Sequence, residues 1–241
     1  VFAFPPLTSL VKRLLIVVGV TFVLEVLATY ALGLPVAESL ALFPHRLDVS
    51  IVWQLVTWPL VHVATPGSQW RVILDAVFFW LIVSPFENRF GPRRALQALG
   101  AGWLGATLAA LVVGLFVSLV LGKPVGALFG LQCLVFSVLV ASVSVVRVGS
   151  VSLFGVLPMK PWHAIAFALG LSALNFVMTR DAVPFAGDVG AVIAGYLFAR
   201  WMTTPRGSRK SIPTRVPRAS GFRVIEGGKP SGDDDKPKWL N

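Results

Sequence analysis

The chain alternates long apolar runs with short polar breaks, and the runs hold very few charges. Runs of this length predict membrane-crossing helices, because a helix satisfies its own backbone hydrogen bonds where no water is available. The first, residues 14–34, would cover about 31 Å as a helix, enough for the hydrocarbon core. It carries one acid, Glu25. A lone charge at that depth is costly, so Glu25 is expected to bond a neighbouring helix or to face a polar cavity. Further runs at 71–86, 95–121, 125–146, 161–178 and 182–202 complete six predicted spans.

Small residues punctuate three of these runs. Gly100, Gly102 and Gly105 lie in the third, Gly126 and Gly130 form a G-x-x-x-G pair in the fourth, and Gly187, Ala191 and Gly195 recur four apart in the sixth. Such faces let helix backbones approach closely. Residues 35–69, "PVAESLALFPHRLDVSIVWQLVTWPLVHVATPGSQ", are too interrupted to span. Trp53 and Trp58 lie within this stretch and Trp70 just after it, and such rings favour the headgroup level. The segment is expected to be an interfacial loop with short amphipathic helices.

Composition narrows the class to an all-α polytopic membrane protein. The chain is 56% hydrophobic and 13% charged, against about a quarter charged in soluble domains. The net charge of +10 does not point to nucleic acid, because nine of the 21 Lys and Arg follow Thr204 and most others flank apolar runs. With the N-terminus inside, seventeen basic residues fall on the inner side and four on the outer. That bias predicts both termini in the cytoplasm. Residues 205–241 are rich in Pro, Gly, Ser and charge and are expected to be a disordered cytoplasmic tail, separate from a membrane domain at 1–204. A single cysteine, Cys133, excludes an intramolecular disulfide framework and a Cys-rich metal site. Nothing in the sequence calls for a cofactor or metal. The first run is too long for a signal-peptide core and lacks a small-x-small site, so no cleavable signal is expected.

Several stretches resemble the rhomboid family of intramembrane serine proteases. "LALFPHRLDVSIVWQLVTWPLVH" resembles the family's first loop through Trp53, Gln54, Thr57, Trp58 and His62. "FENRFGPRRAL" resembles its Glu-x-x-x-Gly-x-x-Arg turn through Glu87, Gly91 and Arg94. "VSLFGVLPMKPWHA" resembles the connection into the fifth span, and "AGDVGAVIAGYLFAR" the last span. The resemblance runs in order over residues 10–202 and implies a six-helix bundle in a bacterial inner membrane. It also implies a Ser–His dyad, with the serine in Gly-x-Ser-Gly at the start of the fourth span and the histidine early in the sixth. A His and an Asn on the second span would stabilise the oxyanion.

The dyad residues are missing from those positions. Taking Gly126 as the residue after the nucleophile puts Val125 at the serine position, while a looser register puts Leu128 there. Ala194-Gly195 places Asp188 at the histidine position. Counting back from Glu87 places Asp75 at the Asn position and Arg71 at the His position. None of His45, His62 and His163 lies in the sixth span. Cys133 is expected about 12 Å deeper than Val125, as a small buried hydrophobe. Ser137, Ser142 and Ser144 lie deeper still, without an evident base.

Two acids sharing a proton can activate water, but a cation one turn before Asp75 favours ionised carboxylates. Arg71, Asp75 and Asp188 are therefore expected to form an ion-pair cluster. The resemblance then implies a non-proteolytic rhomboid-like protein that binds transmembrane segments of client proteins. The alternatives are an active intramembrane serine endopeptidase with a non-standard nucleophile, and a transporter or channel. No polar stripe or inverted repeat supports the last.

Overall fold

A computed structural model describes residues 4–46, 48–62, 69–145, 151–153, 157–159 and 161–204. The chain divides into two units, Val1–Thr204 and Pro205–Asn241. The second unit, and with it the expectation of a disordered tail, lies outside the described residues.

Helix α1 spans Ser9–Leu32 and ends on Gly33, whose left-handed φ of 66° closes the helix. Two short helices follow, α2 (Val36–Leu40) and α3 (Ile51–Thr57), the latter running into a 3-10 turn at Trp58–Leu60. The long helices α4 (Gln69–Phe90) and α5 (Pro92–Leu121) meet at Gly91, where φ is 84°. Helix α6 covers Gln132–Val145, α7 Pro161–Thr179 and α8 Ala182–Thr203. Between α6 and α7 an antiparallel hairpin pairs β1 (Val151–Leu153) with β2 (Leu157–Met159).

Four of these helices, α1, α5, α7 and α8, are long and apolar enough to cross a membrane. The other two expected spans differ for separate reasons. Helix α4 is long enough but holds Arg71, Asp75, Glu87 and Arg89. Helix α6 has 14 residues, roughly 21 Å, short of a core of about 30 Å. It does not begin near residue 125. Residues 122–131 run as an irregular segment, with Leu128 bridged antiparallel to Leu42 and Gly130 at φ 88°. The Gly126/Gly130 pair therefore lies off the helix. The Gly126 N–H instead donates to Asp181 Oδ1 at 3.2 Å.

Helices α5, α6 and α8 form the centre, and glycine sets their spacing. A side chain at Gly105 would meet Gly190 and Ala194 on α8, and one at Gly190 would meet Gly105. A side chain at Gly195 would run into the backbone of Ser137 on α6. Of the small faces expected on the third and sixth runs, Gly102, Gly105, Gly187 and Gly195 make close contacts of this kind, while a side chain at Gly100 would meet nothing. Elsewhere Leu, Val and Ile side chains such as Ile16, Val20, Leu108 and Leu171 point outward, as in a bundle surrounded by lipid.

Candidate functional site

The first-loop motif residues hold irregular backbone together. Gln54 is buried; its carbonyl accepts the Phe43 N–H at 3.2 Å, and its amide donates to Ser50 Oγ at 3.0 Å. Thr57 donates to the Leu40 carbonyl at 2.7 Å, and the Trp53 indole to that of Ser39 at 2.9 Å. Non-helical backbone survives at membrane depth only where protein satisfies it. Trp58 corrects the expectation of a headgroup position. It is fully buried and donates its indole N–H to Thr107 Oγ1 at 3.0 Å. Trp53 and Trp70 are exposed, as are Val52 and Val56 on the outer face of α3.

Glu87 closes the opposite end. Its carboxylate accepts the Leu10 N–H at 3.1 Å and the Val11 N–H at 3.3 Å, giving α1 the cap that Thr8 does not supply. Gly91 permits the sharp turn into α5, and the Arg94 guanidinium lies 5.5 Å above the Trp201 ring. Glu25 is buried in α1 and accepts the His62 N–H at 3.0 Å, so its partner is the loop.

A polar cluster sits where α6 begins. Asp188 of α8, 3% exposed, accepts three side-chain donors. Gln132 Nε2 lies 2.9 Å from Oδ2, Cys133 Sγ 3.2 Å from Oδ1, and Ser172 Oγ 2.5 Å from Oδ2. These three contacts take up most of the acceptor capacity of the Asp188 side chain. Nearby, His62 Nε2 faces Asp75 Oδ2 at 3.8 Å. The described residues contain no group of three or more His, Cys, Asp or Glu that could hold a metal ion.

The model of the rhomboid domain family matches residues 50–205, more than half of the chain. The chain belongs to the rhomboid family. With its apolar helices, this makes it an integral membrane protein. A comparison with curated proteins finds no match.

Within the rhomboid fold three sequence expectations change. Val125 does not sit at a helix mouth; it is seven residues short of α6, and Leu128 is committed to its bridge with Leu42. The residue that opens the helix and touches Asp188 is Gln132. Cys133 is not remote from the site, since its thiol donates to Asp188. Arg71 joins no ion-pair cluster. Among the described residues it pairs with neither Asp75 nor Asp188, and its guanidinium lies 5.1 Å above the Phe129 ring. Stacking on an aromatic face gives an exposed arginine a partner without desolvating it.

Gln132 and Ser172 were the residues hardest to single out from sequence. Gln132 carried a weak signal: Gly130-Leu131-Gln132-Cys133 keeps the first glycine of Gly-x-Ser-Gly, with Gln at the serine and Cys at the second glycine. Ser172 carried none, because sixteen residues and a helix turn separate it from Asp188. Two of the three serines further along the run bond backbone carbonyls: Ser137 that of Ala98 at 3.0 Å, and Ser142 that of Val138 at 2.7 Å.

Proposed function

We propose that this rhomboid is a six-span protein that binds transmembrane segments of client proteins without cutting them. In this reading Gln132 stands in the nucleophile's place and Asp188 in the base's place. The Gln132–Asp188 hydrogen bond at the mouth of α6 is the observation that carries it. A carboxamide is not a nucleophile, and a carboxylate already accepting three donors is a poor base. Loss of nucleophile or base costs on the order of 10⁶ in turnover in a soluble serine protease.

The client would enter between α4 and α7. Ile73, Leu74, Val77 and Phe78 of α4 and Phe167, Leu171, Leu174 and Met178 of α7 are exposed and apolar. Client binding rests on family likeness and on these exposed apolar side chains. The charge bias supports both termini in the cytoplasm, and family likeness is the ground for a bacterial inner membrane.

A second reading is favoured by the 2.5 Å contact of the Ser172 hydroxyl with Asp188. It makes the chain an intramembrane serine endopeptidase with Ser172 as nucleophile. Ser172 is buried, which counts against access by a substrate. Reconstituted protein offered transmembrane substrates and a fluorophosphonate probe separates the two readings. No cleavage and no labelling are expected. Labelling abolished by Ser172→Ala establishes the second reading.

A further inference from the structure

His62 is 3% exposed, and its ring leaves one nitrogen unpartnered. Nδ1 lies 3.2 Å from the Leu60 carbonyl oxygen. A carbonyl only accepts, so Nδ1 carries a hydrogen and the neutral ring presents a lone pair at Nε2. That lone pair faces Asp75 Oδ2, which is also buried and unpartnered, 3.8 Å away. Two acceptors aimed at each other in a low-dielectric site repel. One added proton turns the repulsion into attraction and lets the two atoms close from 3.8 Å to hydrogen-bond distance, whichever atom it formally belongs to.

We propose that His62 and Asp75 form a binding site for a single proton, and that this proton fastens the first loop to α4. The His62 N–H is already tied to Glu25 of α1. With the proton in place, one residue links α1, the loop and α4. Without it, His62 loses its polar hold on α4, and the packing of Leu60 against the cluster that includes Phe79 and Val83 remains. The groups acting on the pair are Glu25 on α1, Arg71 on α4, Asp188 on α8 and the Cys133 thiol on α6. Residues 63–68 add no titratable side chain. Burial also pulls the His62 imidazole below its ordinary value, so at neutral pH the ring alone does not supply the charge. The site is independent of whether the protein cleaves or only binds its clients.

The test is nitrogen NMR of full-length protein carrying ring-labelled histidine, reconstituted in lipid and titrated from about pH 5 to pH 9, across the unperturbed histidine value. There are three histidines, and loss of one signal set in His62→Gln assigns His62. The expected result is a single one-proton transition at Nε2, from a hydrogen-bonded nitrogen to a bare acceptor as pH rises. In Asp75→Asn an amide N–H replaces the bound proton, so Nε2 should stay hydrogen-bonded across the range. Unchanged signals from the other two histidines report that the variant is folded. If Asp75→Asn instead unfolds, Asp75→Glu keeps the acid and must shift the transition. A transition identical in the wild type and the folded Asp75 variant would assign the proton to His62 alone and overturn the proposal. The absence of any transition in the wild type, as a bridging water would give, overturns it equally.

Discussion

Gln132 and Asp188 meet across the interface of α6 and α8, the amide Nε2 donating to carboxylate Oδ2 at 2.9 Å. The contact occupies the point at which α6 starts, with Cys133 and Ser172 donating to the same carboxylate. The backbone there brings two side chains into hydrogen-bond reach while their chemistry supplies neither a nucleophile nor an imidazole base.

If that geometry is the dyad's, the dyad can be rebuilt. The double change Gln132→Ser and Asp188→His, with Cys133→Gly to restore the second glycine of Gly-x-Ser-Gly, is expected to label with a fluorophosphonate probe. Either residue changed alone is expected not to label. Rebuilt protein that is folded and stays unlabelled would show that the two positions do not have dyad geometry.

Glu87 is expected to be a stability residue. It supplies acceptors for two N-terminal N–H groups of α1 from within the bundle. Glu87→Ala leaves both groups and Ser9 Oγ without their acceptor, at a cost of about 1–3 kcal/mol. Glu87→Gln keeps one acceptor oxygen and should cost less. Thermal unfolding in detergent reads both, and equal midpoints for the wild type and Glu87→Ala would remove this role.

Two helix glycines should respond to alanine with opposite signs. A side chain at Gly170 in α7 meets nothing, so Gly170→Ala should stabilise by up to about 1 kcal/mol through helix propensity. A side chain at Gly195 meets the Ser137 backbone, which cannot move aside alone. Gly195→Ala should destabilise, and Gly195→Leu should prevent α6 from seating on α8. The two alanine variants compared in one unfolding assay decide the matter.

Asp48 sets a pH response at the start of α3. The Ser50 hydroxyl and then its N–H, 3.0 Å from Oδ1, donate to the carboxylate and hold it below its ordinary value of 3.8. A carboxylate lowered in the folded state contributes above its unfolded value and loses that contribution as pH falls through the folded one. The turn before α3 should therefore be intact at neutral pH and loosen below about pH 4. Carbon NMR of the Asp side chains should show the Asp48 titration move upward in Ser50→Ala; an unmoved titration would mean that Ser50 does not set it.

Glu87, Gly91 and Gly195 show why much of this chain was legible as a string. Apolar runs free of charge can be satisfied in a bilayer only as helices, so membrane character and the positions of α1, α5, α7 and α8 follow from composition along the chain. A helix turn that needs left-handed φ marks itself with glycine, as at Gly91. The aspartate early in α8 was likewise readable from its spacing to Gly195. What only the tertiary structure decided was where α6 begins and what Asp188 touches. Glycines at 126 and 130 suit a helix interface and an irregular segment equally, and the Leu42–Leu128 bridge, a contact between distant parts of the chain, selects the second. The partners of Asp188 come from α6 and α7, and Arg71 turns to Phe129 instead of to the acids. Each choice rests on desolvation and donor geometry among residues far apart in sequence, quantities that a one-dimensional pattern does not contain.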